Sequence, residues 1–123
     1  MILVDTSVWI LHLREGNSHL RELLYQANVL VHPFVIGEVG CGSLRNRQAV
    51  LDLLNEIPKA AQAEHEEVLQ LIESRRLYSR GIGWVDAHLA ASALISGAPL
   101  WTFDRRLRQV AAQLKVGYSP IGR

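Results

Sequence analysis

Four carboxylates stand out by where they fall. Asp5 follows the apolar run Met1 to Val4, and Asp104 follows Leu100-Trp101-Thr102-Phe103. Asp86 opens an alanine-rich stretch after Arg80-Gly81-Ile82-Gly83, and Glu38 sits among Ile36, Gly37 and Val39. An acid directly after a buried strand lies at its carboxyl end, where open parallel sheets form their ligand crevice. A Glu on a largely apolar helical stretch needs a partner if buried. Four carboxylates converging on one crevice raise one another's pKa values and cannot all stay ionised unless a cation neutralises them. Oxygen ligands favour hard Mg²⁺ or Mn²⁺, which keep several waters and engage substrate phosphate. A plainer reading exists for each residue: Asp5, Asp86 and Asp104 fall where an N-cap or first-turn acid stabilises a helix by roughly 0.5–2 kcal/mol, and Glu38 would then face solvent. The set of four favours chemistry, because the caps at Asp5 and Asp104 are also crevice positions.

The elements that must position these acids are readable from periodicity. Met1 to Val4 reads as a strand, followed by a helix carrying Val8, Trp9, Leu11 and Leu13. A second helix with Leu20, Leu23 and Leu24 leads through Asn28 to the strand Val29-Leu30-Val31. Pro33 suits the first turn of a helix over Phe34 to Leu44, in which Gly37, Gly40 and Gly42 each cost up to ~1 kcal/mol relative to Ala, so that close packing or a bend is expected. Helices follow at Val50 to Ile57 and Glu64 to Leu77, with Ala60 to Ala63 as a short strand between them. Trp84 to Ser96 is a small-residue helix stopped by Gly97 and Pro99, Leu100 to Phe103 a buried strand, Asp104 the cap of a basic helix to Leu114, and Val116 to Ser119 an edge strand. Strands alternating with helices give an α/β fold: a mostly parallel sheet covered on both faces.

The remaining composition narrows the class. The chain has 123 residues, 49% apolar and 20% charged, which predicts one domain over residues 1–123 with a sizeable core. Cys41, the sole cysteine, pairs with no other and reads as a small buried filler; with no zinc-type Cys/His spacing, the cytoplasm is the expected compartment. No stretch approaches the ~18 apolar residues of a membrane span, and the first basic residue is Arg14, so no membrane association is expected. Net charge is only +1, but residues 1–74 carry 5 basic and 10 acidic side chains, while residues 75–123 carry 8 and 2. Eleven of the 13 basic residues are Arg, whose planar fork suits phosphate, although solvated helix faces explain the same charges.

The ordered set Asp5-Thr6-Ser7, Glu38, Asp86 within Trp84-Val85-Asp86-Ala87-His88-Leu89-Ala90-Ala91, and Thr102-Phe103-Asp104 resembles the PIN-domain endoribonucleases of the VapC toxin type. Order and spacing agree from Met1 to about Val116, and no core position of the motif departs from the pattern. The resemblance implies a three-layer PIN-like domain and a metal-dependent endoribonuclease. It further implies that Asp5, Glu38, Asp86 and Asp104 bind one or two divalent ions, which activate water against an RNA phosphodiester. Thr6, Ser7 and Thr102 then become hydrogen-bond donors to the carboxylates, against the plainer readings of helix caps and a buried strand Thr. Arg75, Arg76, Arg80, Arg105, Arg106 and Arg108 flank two of the acids in sequence and are the candidate contacts to the RNA backbone. His12, His19, His32, His65 and His88 show no paired ligand spacing, and Trp9, Trp84 and Trp101 read mainly as core, with Trp84 also able to rim the crevice.

Resemblance to toxins implies a cognate antitoxin as partner. Trp9, Leu11 and Leu13, with Leu20, Leu23, Leu24 and Tyr25, supply more large apolar side chains than two short helices readily bury, so that a groove for a partner's amphipathic segment is expected, or else core packing or a homodimer interface. Other classes fit less well. A phosphoacceptor domain wants two adjacent acids after its first strand, and a dehalogenase-like phosphatase wants a second Asp where Ser7 stands. A PIN fold serving only as a binding module would leave four acids idle.

Overall fold

Ile2, Leu3 and Val4 are apolar without alternation, the pattern of a strand covered on both faces. In a computed structural model, which describes residues 1–120, they form the fully buried central strand β1 (Ile2–Val4). Strands β2 (Val29–Leu30) and β3 (Leu100–Trp101) flank it, both parallel, giving the order β2-β1-β3. Leu3 is the registration point, opposite Leu30 on one side and Leu100 on the other. Single parallel bridges extend the sheet at both edges, Val31 with Lys59 and Leu100 with Gly117.

Seven helices among the described residues cover this sheet: α1 (Thr6–Glu15), α2 (Ser18–Tyr25), α3 (Pro33–Gly40), α4 (Arg47–Glu56), α5 (His65–Ser74), α6 (Trp84–Ser96) and α7 (Arg105–Gln113). The α/β reading and the parallel sheet are thus borne out. Trp9 and Trp101, with 0% and 2% exposure, join Leu3, Val8, Leu20, Val35, Leu89 and Leu107 in the main core. Helix α6 is buried along the whole of Ala87 to Ala93, since its small side chains let neighbours approach from several sides. Two satellite clusters use it, one with Ala63 and Val68 and one with Leu77, Val110 and Leu114. No helix among the described residues is long and apolar enough to cross a membrane.

Several expectations need correction. The segment 60–63 is not a strand: after Ala60 bonds to the Val31 carbonyl, the Ala61 N–H turns to the Ser96 hydroxyl (2.9 Å) and leaves the sheet. Val116 to Ser119 contributes one bridging residue rather than a strand, held by Leu100 N–H to Val116 O and Tyr118 N–H to Leu100 O. Helix α3 stops at Gly40, short of Leu44, and the turn that follows leaves Cys41 exposed rather than buried. A Cβ at Gly37 would meet nothing within 4 Å and one at Gly40 only ordinary contacts, so close packing does not explain Gly37. The residues expected to form an apolar groove go elsewhere. Trp9, Leu20 and Leu23 are consumed by the core, and Leu13 of α1 instead faces Leu44 and Val50 across a cavity of about 710 Å³, edged by Arg14 and Arg45.

Candidate active site

Asp5 is the centre of a hydroxyl cluster at the carboxyl ends of β1 and β3. It occupies the N-cap position of α1, and its backbone carbonyl accepts from Val8 and Trp9, but its side chain makes no cap bond. Instead the 5%-exposed carboxylate accepts from Ser7 Oγ (2.8 Å) and Thr102 Oγ1 (2.7 Å), both on Oδ2. Those hydroxyls also close the end of β3. Beyond Trp101, whose carbonyl takes the Asp5 N–H, the Phe103 N–H bonds Ser7 Oγ (3.0 Å) and the Asp104 N–H bonds Thr102 Oγ1 (3.0 Å). Side chains therefore replace strand pairing, which is why β3 ends two residues before the expected Phe103.

The other acids arrive from three further elements. Asp104 caps α7, its Oδ1 accepting from Arg106 N–H (2.9 Å) and Leu107 N–H (3.0 Å). Glu38, exposed in the second turn of α3, accepts from Thr6 Oγ1 at 2.6 Å through Oε1. Asp86, in the first turn of α6, accepts from Gly83 N–H (3.3 Å) through Oδ2. Burial pushes the Asp86 carboxyl above its ordinary range; the Gly83 bond opposes this, and the negative charges of Asp5, Asp104 and Glu38 add to it. The four acids thus share one field. Each carboxylate spends one oxygen on the protein and leaves the other, Asp5 Oδ1, Glu38 Oε2, Asp86 Oδ1 and Asp104 Oδ2, without a hydrogen bond among the described residues. As they stand, no three His, Cys, Asp or Glu side chains among the described residues are grouped tightly enough to hold an ion.

Residues 2–113 match the model of the PIN domain. Ribonuclease VapC32 of Mycobacterium tuberculosis, in the strains CDC 1551 / Oshkosh and ATCC 25618 / H37Rv, is 50% identical to this chain over 114 residues, covering 92% of both proteins. The chain belongs to the PIN-domain VapC family.

Around the acids, this VapC-family protein distributes its candidate arginines rather than gathering them. Arg106 lies over the loop at Gly81, where a Cβ would run into its side chain, and the φ of +82 at Gly81 is itself a conformation that favours glycine. That sets Arg106 beside the segment leading to Asp86. Arg105 is its exposed neighbour in the first turn of α7. Arg80 donates to Gln113 Oε1, and Gln113 Nε2 in turn donates to the Arg75 carbonyl (3.0 Å), which ties these two to the far end of α7. Arg76 takes a left-handed turn after α5, and Arg108 lines a separate cavity with Trp101, Phe103 and Tyr118.

Sequence reasoning overlooked His32. Fully buried, it caps α3, the helix of Glu38, by accepting the Phe34 N–H on Nδ1 (2.9 Å). Burial and the neighbouring His88 lower its pKa to about 4, so it is neutral near pH 7. Pro33 at the first helical position carried the signal, since the residue before such a Pro is the N-cap.

Proposed function

We propose that this protein is a metal-dependent endoribonuclease that hydrolyses RNA phosphodiester bonds in the cytoplasm, as the toxin of a toxin–antitoxin pair. The observation that carries this reading is the set of four carboxylates from four separate elements, each held through one oxygen with the other left over. Kinship with a protein named Ribonuclease VapC32 supports it. An all-oxygen donor set whose members repel one another suits a hard divalent ion, so Asp5, Glu38, Asp86 and Asp104 would hold Mg²⁺ or Mn²⁺. Such an ion orients and acidifies water and stabilises charge developing on phosphate.

The chain's own contribution is geometry and charge. Ser7 and Thr102 fix Asp5, and Thr6 fixes Glu38 to the start of α1, so that rotamer freedom is removed before a ligand binds. Arg106, beside the Asp86 loop, and its exposed neighbour Arg105 would neutralise RNA phosphates. The antitoxin would lay an amphipathic segment along the cavity between α1 and the start of α4, where Ile10, Leu13 and Val50 offer an apolar floor. A homodimer is the second association in this reading, supported by Leu53 and Tyr25, which are 45% and 90% exposed.

The test is cleavage of RNA by the purified protein. Activity requires Mg²⁺ or Mn²⁺ and disappears in EDTA; full cleavage in EDTA overturns the metal mechanism. Co-expression with the product of the adjacent upstream gene yields a complex in which cleavage is suppressed, and undiminished activity without a complex overturns the toxin–antitoxin part.

A further inference from the structure

Beside the acids lies a strip of aromatic rings drawn from three helices. His65 at the start of α5 packs on Trp84 (ring centroids 5.1 Å), Trp84 meets His88 edge to face (4.7 Å), and His88 meets Phe34 of α3 likewise (4.9 Å). His88 is buried, but Trp84 and Phe34 are 38% and 37% exposed. Each sits close to one of the acids along its own helix. Phe34 precedes Glu38 by one helical turn and so shares its face of α3, and Trp84 stands two residues before Asp86. On its other side Trp84 follows the Gly81 loop that Arg106 covers.

The strip is aromatic rather than aliphatic, and the helices that carry it also carry Glu38 and Asp86, with Arg106 over the Gly81 loop that leads into α6. π-faces suit bases, and a guanidinium suits the phosphate next to them; an apolar peptide face would require neither. We infer that Trp84 and Phe34, set on either side of His88, stack an unpaired RNA base next to the scissile phosphate while Arg106 holds a neighbouring phosphate. The inference rests on the nuclease reading and deepens it, because it names the side chains that hold a base and a phosphate beside the cleaved bond. A paired base inside a duplex cannot present its face.

The protein carries its own probe. Trp9 and Trp101 are buried, so Trp84 is the one tryptophan that a ligand in solution reaches. In Asp5→Asn protein with Mg²⁺, single-stranded oligoribonucleotides should quench Trp84 fluorescence, whereas abasic strands of equal charge and fully duplex RNA should not. Trp84→Leu and Phe34→Leu should each weaken single-strand binding and cleavage by about tenfold, as loss of one stacked base does, with Trp84→Phe largely restoring both. Equal quenching by abasic or duplex RNA, or Trp84→Leu protein that melts and cleaves RNA like wild type, overturns the stacking role alone. Quenching by the upstream-gene product but never by RNA assigns the strip to the protein partner and overturns the proposal. Wild-type protein that neither binds nor cleaves any RNA overturns the nuclease reading and the stacking role with it.

Discussion

At both Asp5 and Asp104 a buried parallel strand gives way to a helix, and an aspartate with extended backbone takes the N-cap position. Only Asp104 spends its carboxylate on the helix. It is exposed and satisfies two backbone N–H groups of α7, while Asp5 is buried, leaves the first turn of α1 without a side-chain cap, and binds two hydroxyls instead. The local sequences explain the split. After Asp5 come Thr6 and Ser7, hydroxyls that reach acids, and Thr102 faces them from the adjoining strand end; after Asp104 come two arginines, which offer the helix start no hydroxyl. A cap worth about 1 kcal/mol is forgone at α1, and a carboxylate is fixed among donors in exchange, a choice that favours a site over stability.

The sharpest break is in activity. Asp5→Asn and Asp104→Asn should each lower metal-dependent RNA cleavage by about a hundredfold or more, since each removes a charge that the site uses, whatever that residue does for its helix. Wild-type turnover in either variant removes that residue from the site. Thr102→Val acts on the link between the two junctions, because its hydroxyl donates to Asp5 and accepts from the Asp104 N–H. The Mg²⁺ concentration for half-maximal cleavage should rise about tenfold, with the maximal rate recovered at excess metal. An unchanged metal dependence means that Asp5 needs no such anchor.

Asp86 reports on the field that both aspartates create. Its folded-state pKa is raised above the ordinary 3.8, first by burial and then by Asp5, Asp104 and Glu38, with the Gly83 bond opposing. The folded state therefore binds the Asp86 proton more tightly than the unfolded chain. Its contribution to stability is full below pH 3.8 and is lost as pH rises through the folded value. In EDTA, Asp86→Asn should melt higher than wild type at pH 7, and the gain should vanish below pH 3.8; adding Mn²⁺ should raise the melting temperature of wild type more than that of the variant. A variant no more stable than wild type at pH 7 removes the shared field.

The three strands of the sheet, the helices and the places of Asp5 and Asp104 at strand ends were legible because each rests on local pattern: apolar runs, 3.6-residue spacing, and an acid at a strand's end. What was not legible depends on partners distant in sequence. Nothing near Asp5 says that Thr102, 97 residues away, takes its carboxylate from the helix. Ala60 to Ala63 has strand-like composition, but Ser96 captures its backbone. Trp84 reads as core by type or as the rim of the crevice by its place beside Asp86, and the meeting of α3, α5 and α6 makes it a partly exposed ring between histidines. The first two helices carry an excess of large apolar residues, yet Trp9 and Leu20 go to the core, and Leu13 lines a cavity with Ser43 to Asn46 and Val50 in which no residue of α2 takes part.

The smallest effect isolates the cap itself. Asn and Ala both remove the charge of Asp104, so relief of repulsion is common to the two variants and cancels when they are compared in EDTA. What remains is the capping oxygen, which Asn retains and Ala lacks, so Asp104→Ala should be less stable than Asp104→Asn by about 1 kcal/mol, or roughly 3–5 °C in melting temperature for a domain of this size. The same pair at Asp5 also differs in stability, but through the hydroxyls. Alanine there strands the Ser7 and Thr102 protons without their acceptor. The two causes separate in a double-mutant cycle with Thr102→Val: the Asn–Ala difference at Asp5 should shrink when the Thr102 hydroxyl is gone, while that at Asp104 should change far less, because its side chain bonds only the backbone of Arg106 and Leu107 and meets Thr102 through its own N–H alone. Additivity at both positions makes Asp5 a cap like Asp104, and the distinction between the two junctions collapses.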